Sequence, residues 1–396
     1  MPFRVVFFII LFMAAWALIN QGCESSNDKE KARKIAPVDL GEIAALPTGY
    51  KSPANNPSTN EKIELGRLLF FDPILSGKND VSCASCHHPE FAYAESLQIS
   101  IGVNGKGLGE KRVFLQPNSI PFTKRNSQTL LNTAFNGIDV DGNYVPEEAP
   151  MFWDLRAKSL EEQALHPIRQ LEEMSGSQDG ENMAVGEVIK RLKSIPEYRR
   201  LFTLAFNAPE AVSDSNLGKA LASFQRSLLA NNSRFDQYMR GDSKALTSSE
   251  LEGMDLFIQS GCARCHNGPM LSDYKTHVMG VKDNENRAGI DSGFQNTFAF
   301  RTPSLRNLRL TYPYMHSGKI RTLDDVLTFY EDLQGNELPN SNLTRAQLDP
   351  LAKKIKLEFK NIARIVEFLN SLNDDKYDKK IPAAVPSGLS VGGNIK

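Results

Sequence analysis

Two stretches of this chain carry the same short pattern. VSCASCHHPEFAYAE, residues 81–95, sets Cys83, Cys86 and His87 in the order C-x-x-C-H. SGCARCHNGP sets Cys262, Cys265 and His266 in that order again, far downstream. Four of the five cysteines are used this way. A redox dithiol or a zinc site built from the four thiolates would explain the cysteines, but neither gives a role to the histidine that directly follows each pair. Covalent c-type haem uses every residue of the motif, with two thioether bonds from the cysteines and an axial iron ligand from the histidine. The pattern points to two covalently bound haem c groups, with dithiol and zinc as the rivals.

Haem chemistry is set by the axial ligand, the polarity of the open face and solvent access, so the other titratable residues matter. Of six histidines, His87 and His266 belong to the motifs. His88 adjoins a ligand and suits a loop or propionate contact. His166, His277 and His316, each taken alone, read more simply as satisfied structural histidines.

The elements that must position these groups are helices joined by long loops. NEKIELGRLLFF, residues 60–71, is amphipathic through Ile63, Leu65, Leu68 and Leu69 and runs into the first motif's loop. SLEEQALHPI opens with a capping box, Ser159 with Glu162, and Pro167 ends it. Residues 215–239 read as one long helix. SSELEGMDLFIQSG, capped by Ser249 and Glu252, leads into the second motif. RTLDDVLTFYEDL is capped by Thr322 and Asp325, and residues 358–373 form the last clear helix. No alternating apolar block is long enough for a substantial sheet. Gly-rich IGVNGKGLGEK lacks the strand and helix that would make it a phosphate loop. The fold class is mainly α, with two cytochrome-c-like haem domains, long loops and little sheet.

A chain of 396 residues has room for two domains, and its net charge of -1 without a basic cluster excludes a nucleic-acid binder. Arg4 precedes an uncharged apolar run from Val5 to Ile19, too short for a span of about twenty residues but suited to an export signal. Gly22-Cys23 and the polar run after it resemble a lipoprotein cleavage site, although Asn20 and Gln21 depart from the usual apolar-small pattern. An unlipidated signal and an uncleaved anchor are the alternatives, and all three place the mature chain outside the cytoplasm. The expected organisation is an export signal over 1–22 and a flexible tether over 23–45. An N-terminal peroxidatic haem domain over 46–245, a C-terminal electron-transfer haem domain over 246–380 and a loose tail over 381–396 follow. The expected location is the periplasm, with a membrane tether through a lipid on Cys23.

RNSQTLLNTAFNG (125–137), MFWDLRAKSLEEQALHPI (151–168) and RTPSLRNLRLTYPYMHSGKIRTLDDVLTFY (301–330) together resemble the bacterial di-haem cytochrome c peroxidase and MauG superfamily, over roughly residues 46 to 375. The resemblance implies a site. Trp153 matches the tryptophan between the two haems. Gln163 and Glu173 match the distal pair of the peroxide-binding haem. Asn126, with the backbone carbonyls of Thr311 and Pro313, matches the ligands of an inter-haem calcium. His316 matches a histidine near the second haem. Tyr330 falls where many members place an axial methionine and MauG places a tyrosine. Taken alone, Glu173 and Gln163 would be a solvated acid and a polar helix residue. In the family's positions, a carboxylate can move a proton between the peroxide oxygens while the amide orients them.

Two departures carry consequences. Members that rest with two histidine ligands block the peroxide site with a histidine in the loop after the first motif, and here that position is Val103. The first haem is then open without activation. Tyr330 in place of methionine would lower the second haem's potential, since a thioether raises it. Met270, Met279 and Met315 are rival ligands, and a core tyrosine with a hydrogen-bonded hydroxyl is the plain alternative. His166, three residues after Gln163 on the same helical face, stands where a small residue is commoner in the family. The resemblance implies a peroxidase that reduces hydrogen peroxide with electrons from a small donor protein, a cytochrome c or cupredoxin, entering at the second haem. A MauG-like oxidase of a protein side chain or small molecule, acting through a shared high-valent di-haem state, is the second reading. A non-enzymatic electron carrier is the third, and Val103 and Glu173 argue against it.

Overall fold

The computed structural model describes residues 43–177, 184–335 and 338–396. The expected export signal, Cys23 and most of the tether lie outside the described residues. The first strong element, α1 (Asn60–Phe71), starts where the Thr59 hydroxyl accepts the Lys62 N–H and buries Leu65, Leu69, Phe70 and Phe71. Two short helices follow, α2 (Ser159–Gln163) and α3 (His166–Arg169), and then a π turn over Leu171–Ser175. Next come α4 (Ala184–Ser194), α5 (Pro196–Phe206), α6 (Asp214–Ser227) and α7 (Arg234–Met239). The C-terminal part holds α8 (Ser248–Gln259), α9 (Leu323–Asp332) and α10 (Ile362–Ser371).

Sheet is confined to three two-stranded antiparallel ribbons among the described residues. They pair β1 (Gly105–Lys106) with β2 (Val113–Phe114), β3 (Pro150–Met151) with β4 (Ala157–Lys158), and β5 (Thr276–His277) with β6 (Phe300–Arg301). No described helix is long and apolar enough to cross a membrane.

Each motif hangs from a helix pair that crosses at a glycine. An ideal Cβ on Gly66 of α1 would stand 2.1 Å from the Ala220 carbonyl oxygen of α6, and one on Gly253 of α8 would stand 2.0 Å from that of Arg364 in α10. Only glycine lets these backbones touch. The first pair anchors the larger core, with Phe70, Tyr198, Phe202 and Phe224. In the second, the Phe368 ring meets those of Phe235 and Phe257.

Five local expectations are corrected. Residues 215–239 are two helices, because the Asn132 side chain exchanges hydrogen bonds with the Ala230 backbone at 2.9 and 2.8 Å and breaks the ladder there. The cap of α8 is Thr247, whose hydroxyl pairs reciprocally with Glu250, while Ser249 turns to Glu367. Pro167 begins α3 instead of ending a helix, since the first turn needs no proline N–H. The tether is shorter than expected, because Ile43 is already buried. The tail is not loose. Val385 is buried, Gly392 N–H donates to the Phe71 carbonyl at 2.7 Å, and Asn394 N–H donates to that of Asp80 at 2.8 Å.

Candidate active site

Both motifs fold into a single turn of 3-10 helix, Cys83–Ser85 and Cys262–Arg264. That turn brings each cysteine pair and its histidine to one side. His87 Nδ1 lies 3.0 Å from the Tyr93 carbonyl oxygen, and His266 Nδ1 lies 3.0 Å from that of Leu271. An Nδ1–H donated to a carbonyl leaves Nε2 unprotonated and available to a metal. Burial favours the same neutral form, pulling His87 down to about 4 and lowering His266 as well.

The sulfurs decide between the rival chemistries. Burial pushes the Cys83 and Cys262 thiols up to about 12 and Cys86 well above the usual range. A redox dithiol needs the opposite shift. The pairs also line different cavities, so the four sulfurs do not converge on one zinc site. Two thioether-bound haems fit what the residues offer: half-buried sulfurs lining each cavity for covalent attachment, and an oriented neutral imidazole beside each pair.

The larger cavity, about 470 Å³, is lined by Cys83, Cys86 and His87 together with Gln163, His166 and Glu173. Trp153, Asn126, Thr311 and Pro313 line it too, so the residues expected from distant segments are brought together. Burial, and then the adjacent Glu172, pushes the Glu173 carboxyl up to about 7. A carboxyl poised near neutrality can both take and return a proton. The π turn that carries Glu173 packs on the loop after the first motif: an ideal Cβ on Gly102 would meet the Glu172 and Glu173 carbonyls. Val103, next in that loop, is fully buried in the core. His166 is half-exposed, and burial and Arg156 hold its pKa down.

The smaller cavity, about 130 Å³, is lined by Cys262, Cys265, His266, His316 and Tyr330. Leu323, Val326 and Leu327 join Tyr330 there, as the helical spacing of α9 requires. Burial raises the Tyr330 phenol above its ordinary range. Its proton is lost only where a cation offsets that cost. The rival sulfurs are also near: Met279 lines this cavity, Met270 the larger one, and Met315 both.

Trp153 lines both cavities. Its indole N–H donates to the Asn126 carbonyl at 3.0 Å, and its ring meets His316 edge-on at 6.4 Å. His316 in turn stacks on Phe300 at 3.5 Å. His88 is a loop contact, its Nδ1 accepting the Glu90 N–H at 3.3 Å. His277 is held by carboxylates on both sides, Asp273 at 3.1 Å and Asp349 at 2.8 Å. Burial alone would lower its pKa, but the flanking carboxylates raise it, and both ring nitrogens face a carboxylate oxygen.

Sequence reasoning passed over one central residue. Arg301 is buried, lines both cavities, and donates to the Phe152 carbonyl at 2.9 Å and to Gln128 Oε1 at 3.1 Å. It opens the quoted stretch RTPSLRNLRL, where a charged residue directly after the apolar Phe298-Ala299-Phe300 was the available signal.

Residues 60–244 match the profile of the di-haem cytochrome c peroxidase family. The methylamine utilization protein MauG of Methylorubrum extorquens is 32% identical over 391 residues, which cover 94% of this chain and 96% of that protein. Cytochrome c551 peroxidase of Nitrosomonas europaea is 32% identical over 341 residues, covering 84% and 86% respectively. Among solved structures, a MauG-like protein associated with microbial copper homeostasis matches with a TM-score of 0.66 and 28% identity, over 83% of this chain and 95% of that one.

Proposed function

Because this chain belongs to the di-haem cytochrome c peroxidase family, we propose that it reduces hydrogen peroxide to water at the His87 site. The electrons come from a small donor protein, a cytochrome c or cupredoxin, through the His266 site. Bound at the two motifs, the haems would supply the redox-active iron and the store for two oxidising equivalents. This chain's residues do the rest. Gln163 orients the peroxide through its amide. Glu173 takes a proton from one peroxide oxygen and returns it to the other, which leaves as water. The surrounding core keeps bulk water from the reacting atoms. Trp153, in the wall of both cavities, is the group through which the two sites communicate.

The observation that carries this reading is the single cavity holding Cys83, Cys86 and His87 with Gln163 and Glu173. Stopped-flow mixing of the oxidised holoprotein with peroxide, followed by a reduced donor, tests it. Two donor electrons consumed per peroxide is the expected stoichiometry, and none consumed would remove the reading.

A MauG-like oxidase is the second reading, supported by Tyr330 in the wall of the His266 cavity. In that reading Tyr330 would help hold the second haem's iron through its phenol oxygen. Asn126, Thr311 and Pro313 are the proposed calcium ligands, supported by their shared cavity and by the indole hydrogen bond to Asn126. Removing calcium with a chelator should lower peroxide turnover, and adding it back should restore it. Export to the periplasm and a lipid on Cys23 rest on residues 1–23; metabolic labelling with a palmitate analogue, lost in Cys23→Ser, tests the tether.

A further inference from the structure

Residues 351–360, LAKKIKLEFK, run along the second motif. Four lysines and one glutamate (4 − 1) give the stretch a formal charge of +3 in a chain whose net charge is -1. Its two sides differ. Leu351, Ala352 and Ile355 line the smaller cavity with Cys262, Cys265 and His266, and Leu357 is buried. Lys353, Lys354, Lys356 and Lys360 are exposed. The stretch is therefore a thin wall, apolar toward the His266 site and basic toward solvent.

This wall is fastened to the motif itself. Lys356 N–H donates to the Ser260 carbonyl at 3.0 Å. The Lys354 carbonyl and the Arg264 side chain approach the same face of Gly261, at 3.4 and 3.3 Å from an ideal Cβ. Arg264, inside CARCH, is exposed and adds a fifth cation. Lys360 pairs with Glu358 at 2.7 Å. Among the described residues, Lys353, Lys354, Lys356 and Arg264 have no carboxylate within ion-pair range, and Lys353 reaches only the Ala346 carbonyl at 3.5 Å. Phe359 stands in the same stretch at 75% exposure, the highest among the exposed large hydrophobics.

Unpaired like charges repel one another and attract a surface of the opposite sign, while an exposed aromatic beside them offers an apolar anchor. We propose that this face is the docking surface for the electron donor, and that the donor is a small acidic redox protein. Its carboxylates meet Arg264, Lys353, Lys354 and Lys356, and its apolar edge covers Phe359. From there only the Leu351–Ile355 wall separates donor from the His266 cavity. Each docked donor is oxidised by one electron, and two dockings with two protons reduce one hydrogen peroxide to two waters. The proposal rests on the peroxidase reading above.

The test uses the holoprotein, reduced plastocyanin as an acidic probe, and reduced mitochondrial cytochrome c as a basic one. Binding is read by surface plasmon resonance and turnover by donor oxidation. Each rate is divided by the same protein's rate with hydroquinone, a small neutral reductant that needs no docking surface. The wild type should bind and oxidise plastocyanin in preference to cytochrome c. That preference should fade as ionic strength rises from about 0.01 M to about 0.15 M, where the screening length shrinks from about 30 Å to about 8 Å. The Lys353→Glu/Lys354→Glu/Lys356→Glu protein should lose about tenfold or more with plastocyanin and gain with cytochrome c. Unchanged plastocyanin binding in that variant, or a wild-type preference for cytochrome c, overturns the docking proposal. Inertness with hydroquinone as well overturns the peroxidase reading instead, and the binding arm still decides whether this face recognises acidic proteins.

Discussion

At Glu173 the carboxyl lies in the same cavity as His87, pushed up to about 7 by burial and Glu172. Its base form grows in as pH rises through that value, so peroxide turnover should rise with pH across about 6 to 8. Glu173→Gln should lower turnover by about 10²–10⁴-fold and flatten that limb, with both haems still attached. A pH-rate profile of the two proteins checks this, and a retained limb would move the proton relay to His166. Tyr330 gives the second prediction at this scale. With phenolate on the second iron, Tyr330→Phe should abolish the low-spin signal of that haem, and Tyr330→Met should raise its reduction potential. An unchanged low-spin spectrum in Tyr330→Phe would pass the ligand role to Met279 or Met315. Residues whose chemistry is local were legible in the sequence: cysteine and histidine at fixed spacing announce covalent attachment wherever the chain folds. The Asp349 partner of His277, 72 residues away, left no such mark, nor did the pairing of Arg301 with Phe152 and Gln128.

Helices carry these residues, and two features of their packing make predictions. The crossing of α8 and α10 leaves no room for a side chain at Gly253. Gly253→Val should overpack it and cost about 1–3 kcal/mol, read as a lowered Tm with the first motif's spectrum little changed. The C-terminal segment matters to the other half. Ser387 Oγ donates to Asp72 at 2.7 Å, Ser85 Oγ to the Gly392 carbonyl at 3.2 Å, and Gly107 N–H to the Asn394 carbonyl at 2.8 Å. Removing residues 387–396 should therefore speed amide exchange around residues 81–86 and 104–107, while residues 262–266 keep their protection. Exchange monitored by mass spectrometry separates the two regions. Composition made this segment look loose, since Pro, Gly and Ser weaken any local preference; its order comes from hydrogen bonds to distant residues, Phe71, Asp72, Asp80, Ser85 and Gly107, and from the burial of Val385. The split of residues 215–239 has a similar origin, in Asn132 98 residues away. α9, whose apolar spacing and Thr322 cap agree, was read correctly because its signals are local.

Across the whole molecule, one duplicated motif serves two unlike surroundings. The His87 cavity holds an acid, an amide and a histidine; the His266 cavity is smaller and carries a basic outer wall, while Tyr330, Met315 and His266 line both. That asymmetry suits peroxide chemistry at one end and electron entry at the other, with Trp153 in the wall of both. Intact mass of protein made in a haem-maturing host should exceed the polypeptide by two haems. Because Val103 is buried in the core and supplies no imidazole, the His87 site is expected to stand open in the oxidised resting protein. Electron paramagnetic resonance of the fully oxidised holoprotein, before and after one equivalent of peroxide, tests it most directly. A high-spin ferric signal that peroxide consumes at once, without prior reduction, is expected. A spectrum with only low-spin iron, reactive only after half-reduction, would contradict it.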